Sequence, residues 1–225
     1  MEFFRISYAL VVTCESRGIE VLLINLPYPA SENNRRVANR LYDIAEEYGV
    51  GYINFLNMDV VDYDTDMNDK GSHLNPSGAR KVTDYLGEYI TEHYDITDKR
   101  LDAAYSSWYE DYEEYKDLKV SNMNSQTDAD CYIMLMYDKN YDVRIEIGDI
   151  DFFEDEYYCR LFENIGIDVE MLTEDVTEIV VEAAGEKVEY LEGEENTDAG
   201  ISFTVTDRDT GEVVSQKSFE YTVSE

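Results

Sequence analysis

An apolar stretch from Val21 to Leu26, interrupted only at Asn25 and cut off by Pro27, constrains the fold more than any other feature of this chain. A strand with such side chains on both faces must be covered on both, as in a parallel sheet packed between helices. The flanking sequence supplies the helices. Glu2 to Arg17 sets Ile6, Leu10, Val11 and Cys14 near one face, and Gly18 stands as the C-terminal stop. This stretch also has the outline of a secretory apolar region, but Glu15, Ser16 and Arg17 occupy the place of small cleavage-site residues, so a helix is expected. Glu32 to Glu47 predicts a second helix, with Val37, Leu41, Ile44, Ala45 and Tyr48 inward and Gly49 closing it. Tyr52 to Leu56 predicts the next strand, and an aspartate-rich loop runs from Asp59 to Gly71. Asn75-Pro76-Ser77 then opens a helix, with proline where a missing N–H is harmless. Ala79, Val82, Leu86, Tyr89, Ile90 and His93 make its stripe. The order is a βαβ unit with flanking helices, the beginnings of an α/β parallel sheet. Two parallel strands leave open edges. More sheet is therefore expected, ahead of Met1 in the natural protein rather than from the C-terminal region, or a protein partner at the open edge.

A different composition begins at Leu101. Tyr105, Trp108, Tyr109 and Tyr112 recur at helical spacing, with Tyr115 beyond them, among many acids. The stripe suits packing against a neighbouring domain; the alternative use is stacking on sugar rings. Val120 to Asp130 is polar without periodicity and reads as a linker. Cys131–Tyr137 and Val143–Ile147 are expected as strands, Glu154–Ile165 as a helix stopped by Gly166. Thr177–Ala183 with Lys187–Leu191, and Ile201–Thr206 with Glu212–Thr222, predict two hairpins. The expected organisation is a partial α/β domain over residues 1–100, an aromatic helix and linker over 101–130, and a small, mostly antiparallel α+β domain over 131–225.

Charge excludes several classes of partner. The 18 Lys and Arg against 51 Asp and Glu leave 18 − 51 = −33. Nucleic acid is bound through clustered Lys and Arg that release counterions, so it is not an expected partner. Anionic membrane surfaces are disfavoured for the same reason. With 44% hydrophobic residues the chain still has enough apolar side chains for a core, which argues against wholesale disorder. No apolar run is long enough to predict a membrane-spanning helix. Cys14, Cys131 and Cys159 show no metal-ligand spacing and cannot all pair within one chain, so neither a disulfide framework nor a zinc site is expected, and no cofactor is implied.

The stretch from Asp66 to Ala79 holds the candidate chemistry. His73, one of only two histidines, stands at a loop end just before a helix, with Asp69 the nearest acid ahead and Asp66 the next. A histidine there is placed to take a proton from a hydroxyl nucleophile, while a carboxylate fixes its tautomer. A packing or helix-capping role is the alternative. The wording Asp69-x-x-x-His73-Leu74-Asn75-Pro76-x-Gly78-Ala79-x-Lys81-Val82-Thr83, followed by an amphipathic helix, resembles the last block of SGNH/GDSL esterases and acyltransferases, in the branch related to alginate O-acetylation and teichoic-acid D-alanylation proteins. Val21 to Pro29 and the helix after it match what precedes that block. The resemblance implies a flavodoxin-like α/β/α sandwich, with His73 as general base and Asp69 as its orienting acid. It also implies a glycan or acylated polymer as substrate and a location outside the cytoplasmic membrane, although the chain shows no export signal of its own.

Two departures qualify what the resemblance implies. The family's acid stands three residues before its histidine, a place held here by Lys70. No Gly-Asp-Ser block is present, nor the family's glycine and asparagine blocks; Ser7 and Ser16 fall in an expected helix and Ser72 adjoins His73. The expectation is an ester hydrolase or O-acyltransferase fragment that is inactive alone, or else a non-catalytic accessory or pseudoenzyme that binds a protein or glycan. Asp207-Arg208-Asp209-Thr210-Gly211 opens like a calcium loop, but Ser218 stands where the bidentate Glu belongs, so a hairpin turn is expected. Ile201 to Asp207, Thr210 to Val214 and Phe219 loosely resemble ILEI-type modules, which are attached to carbohydrate-active proteins.

Overall fold

The computed structural model describes residues 2–68, 73–148, 150–193 and 200–221, with side chains from residue 8 onward. It divides into two compact units, Met1–Val82 and Thr83–Glu225. The first contains a small parallel sheet, the second a separate antiparallel sheet of five strands. The chain is thus mixed α/β.

In the first unit α1 (Glu2–Glu15) ends at Gly18, whose φ of 69° is the left-handed conformation that stops a helix. β1 (Leu22–Asn25) pairs in parallel with β2 (Gly51–Asn54), Leu22 opposite Gly51 and Asn25 opposite Asn54. The expected single helix between them is two, α2 (Glu32–Asn39) and α3 (Leu41–Tyr48), parted at Arg40. The Tyr52 hydroxyl donates to the Ala38 carbonyl at 2.8 Å, intruding on the helical ladder where it breaks. The second strand is shorter than expected, because Phe55–Asn57 turns into a 3-10 helix with both Phe55 and Leu56 buried. The core gathers Val11, Leu41, Ala45, Ile53, Phe55 and Val82.

The expectation that β1 is covered on both faces is corrected here. Ile24 is 40% and Leu26 54% exposed, since a sheet of two strands has too little flanking structure to cover it. Leu10, expected inward, is exposed too, and among the described side chains of α1 it is Val11 that is fully buried.

The loop after β2 folds back as a short hairpin, β3 (Met67–Asn68) against β4 (His73–Leu74). It leads into α4 (Pro76–His93), inside which the division between the units falls.

In the second unit α5 (Ser106–Ser125) and α6 (Ala129–Met136) replace two expectations. The linker expected at Val120–Asp130 is mostly the end of α5 and the start of α6, with Met123 fully buried. Cys131–Tyr137, expected as a strand, is mostly helix; Tyr132, Ile133 and Met136 are buried at helical spacing. A short apolar run fits either element, and tertiary packing decided this one. β5 (Tyr141–Ile147), α7 (Glu156–Asn164), β6 (Val176–Glu182), β7 (Lys187–Glu192), β8 (Ile201–Asp207) and β9 (Val213–Phe219) follow. The strands stand in the order β7-β6-β5-β8-β9, every pair antiparallel. Both expected hairpins are present. Residues of β8 alternate between buried and partly covered, and Phe203 packs with Tyr132 at 5.5 Å between ring centres.

Candidate active site

His73 is exposed and lies opposite Asn68 in the β3–β4 hairpin. Asp69, its expected orienting acid, and Ser72 lie outside the described residues. The anchoring of the hairpin is described in full. Asp66 and Thr65 are completely buried, and Asn75 and Ser77 nearly so. Oδ2 of Asp66 accepts from Lys81 Nζ at 2.7 Å and from the Asp62 backbone N–H at 2.8 Å. Oδ1 accepts from the Ser77 hydroxyl at 2.8 Å. The Asp66 carbonyl accepts from the Asn75 backbone N–H at 2.9 Å, and the Asn75 amide donates to the Thr65 carbonyl at 2.7 Å. Asn75 Oδ1 in turn accepts the Gly78 N–H at 3.0 Å, capping the first turn of α4. Asp66 and Asn75 bracket the hairpin, so these bonds close its neck.

The same network explains why Asn75-Pro76-Ser77-Gly78 reads as it does. A methyl group on Gly78 would stand 2.4 Å from the Asp66 carbonyl oxygen, so only glycine lets α4 approach this closely. Asp66, the second candidate acid, is a structural carboxylate here: both its oxygens serve the neck of the hairpin. Sequence reasoning missed this role, although Lys81 and Ser77 were both in view.

The serines of the first unit have local tasks where their side chains are described. Ser16 donates to the Thr13 carbonyl, Ser31 caps α2 by accepting from Asn34, and Ser77 donates to Asp66. Side-chain amides collect at the carboxyl ends of both parallel strands, a feature the sequence reading did not single out. Asn25 donates to Asn54 Oδ1 at 3.1 Å, Asn54 donates to Asn39 Oδ1 at 3.2 Å, and Asn57 donates to the same oxygen at 3.0 Å. Asn54 is buried and also accepts from the Leu56 N–H, so the amides fix the loop that leaves β2. Nearby, burial pushes the Tyr52 hydroxyl up to about 12, with Tyr42 and Tyr28 adding to the shift.

In the second unit the Asp207–Gly211 segment is a turn. Asp207 Oδ1 accepts from the backbone N–H groups of Asp209 and Thr210, and the Asp207 carbonyl from Gly211. The calcium-loop alternative gives way to this self-capped hairpin. Among the described residues no group of three or more His, Cys, Asp or Glu is arranged to hold a metal ion, and no helix is long and apolar enough to cross a membrane. Compared with protein-family models, curated proteins and solved structures, the chain matches none of them.

Proposed function

We propose that the first unit is the acid–histidine part of an SGNH-type ester hydrolase or O-acyltransferase, in a flavodoxin-like α/β layer acting on an acylated cell-surface glycan. His73 is the general base and Asp69 the acid that orients it. The observation that carries this reading is the mounting of His73: an exposed imidazole on a hairpin whose neck is closed by a buried network. A base must reach its proton and yet be held in place, and this arrangement supplies both. The hairpin also belongs to the loop leaving the carboxyl end of β2, the end at which open parallel sheets take their ligands.

A base with no hydroxyl to activate does no covalent chemistry. On this proposal the nucleophilic serine comes from sequence outside this chain, and residues 1–225 alone are expected not to turn over esters. A second reading, a non-catalytic module that binds a protein or glycan partner, draws support from Asp66, which is committed to Lys81 and Ser77.

Cleavage of a chromogenic acetyl ester, with and without a small added alcohol as surrogate nucleophile, tests the proposal. The alcohol is expected to raise the rate, the increment being lost in His73→Ala and kept in His93→Ala. Equal increments in both variants would favour the non-catalytic module. Turnover without added alcohol that vanishes in His73→Ala would place a nucleophile within the chain and overturn the claim that it is inactive alone.

A further inference from the structure

One face of α5 is buried at its C-terminal half and bare at its N-terminal half. Trp108, Tyr112, Tyr115, Lys119 and Met123 recur at steps of four, three, four and four residues, which sets them on one side of a helix. Met123 is fully buried in the core of the second unit, and Lys119 is buried beside Asp138. Towards the N-terminus the same face emerges into solvent. Trp108 is 72% exposed, Tyr115 52% and the flanking Leu118 60%. Trp and Tyr in such company are the residues that anchor protein interfaces, where a large apolar area is gained for few frozen torsions.

Charge selects the occupant. Asp111, three residues from Trp108 and four from Tyr115, and Glu114, four from Leu118, are exposed along the edge of this face, with Glu110 and Asp117 exposed on the far side of the helix. Of its two lysines, Lys119 is buried, and Lys116 is held by Glu113 at 2.8 Å and lies over the Tyr112 ring. A second copy of a chain carrying −33 would bring carboxylates against carboxylates. A cationic amphipathic helix meets both demands: apolar side chains on Trp108, Tyr115 and Leu118, Lys or Arg against the acidic border and over the ring faces. We propose that the exposed half of α5 is a docking face for a basic amphipathic helical segment of another protein.

Trp108 is the only tryptophan in the chain, so its emission reports directly on this face. The probe is a fluorescein-labelled peptide of about eighteen residues, long enough for a stable bound helix, free of aromatic residues, with leucines on one face and lysines on the other. Added to the full chain, the unlabelled peptide is expected to shift Trp108 emission to the blue, saturably and less at high salt. By anisotropy, Trp108→Ala and Leu118→Glu, both exposed and so compatible with folding, should each weaken binding about tenfold or more. No shift, equal binding of a composition-matched scramble, or equal binding in the two variants overturns the proposal. So does a blue shift produced by protein concentration alone, which marks a second copy, or by a neutral oligosaccharide, which marks a sugar platform.

Discussion

Lys81 Nζ stands 2.7 Å from Oδ2 of the wholly buried Asp66, and this ion pair ties the start of α4 to the neck of the hairpin that carries His73. Removing one member of a buried pair leaves the other charge without its counterpart, at a cost of about 3 kcal/mol. Lys81→Met and Asp66→Ala are both expected to loosen the neck by that order. Native-state hydrogen exchange at the amides of Asn75 and Gly78 reads it locally, and should accelerate about a hundredfold. Unchanged protection would mean that the pair is incidental to the mount.

Two glycines of α4 predict opposite outcomes. At Gly78 a methyl group meets the Asp66 carbonyl oxygen at 2.4 Å and Leu74 Cδ2 at 3.0 Å, so Gly78→Ala should destabilise by about 2 kcal/mol. At Gly87 nothing lies within 4 Å, and Gly87→Ala should stabilise by up to about 1 kcal/mol through helix propensity. Urea unfolding of the two variants checks the difference in sign.

In the second unit Lys119 and Asp138 form a buried ion pair, with Lys119 also over the Tyr141 ring at 5.4 Å. Lys119→Met and Asp138→Ala should each cost about 3 kcal/mol. The double variant should cost clearly less than the sum, because the second substitution removes a charge already left unpaired. Additive losses in a double-mutant cycle would show that the two residues act independently.

Alkaline pH should unfold the protein through its buried tyrosines. Burial first, then neighbouring carboxylates, pushes Tyr141 and Tyr158 up from 10.0 to about 12. A phenol whose pKa is raised by folding favours the folded state while both states keep the proton, and ionisation of the unfolded chain, at a lower pH than the folded one, then draws the equilibrium towards unfolding. Its contribution is fully present below about pH 10 and is lost as pH rises towards about 12. Stability measured by denaturant titration should therefore fall across that window, with tyrosinate absorbance lagging in the folded protein. A flat profile would contradict the burial of these rings.

The antiparallel sheet was largely legible from sequence, because β8 alternates in the period that a half-buried strand requires. Pro76 marked the start of α4 for an equally local reason, its missing N–H. The misreadings arose where local pattern is silent. The Cys131–Tyr137 run is apolar enough for either element, and α6 forms because its side chains are buried at helical rather than strand spacing. Met123, one apolar residue in a polar stretch, gave no periodic signal of the helix around it. Asp66 is one aspartate among several between Asp59 and Asp69. Only folding shows that Lys81, fifteen residues on, makes it structural.

In the proposed function His73 is a base held in one tautomer by a carboxylate. Nitrogen-15 NMR of the two histidine rings measures it directly, with His93 as internal reference, since its Nδ1 lies 2.9 Å from the Tyr89 carbonyl. Neutral His73 is expected to carry its proton on Nδ1, leaving Nε2 free to accept, and Asp69→Asn is expected to abolish this preference. A proton on Nε2 in the native chain, unmoved by Asp69→Asn, would contradict it.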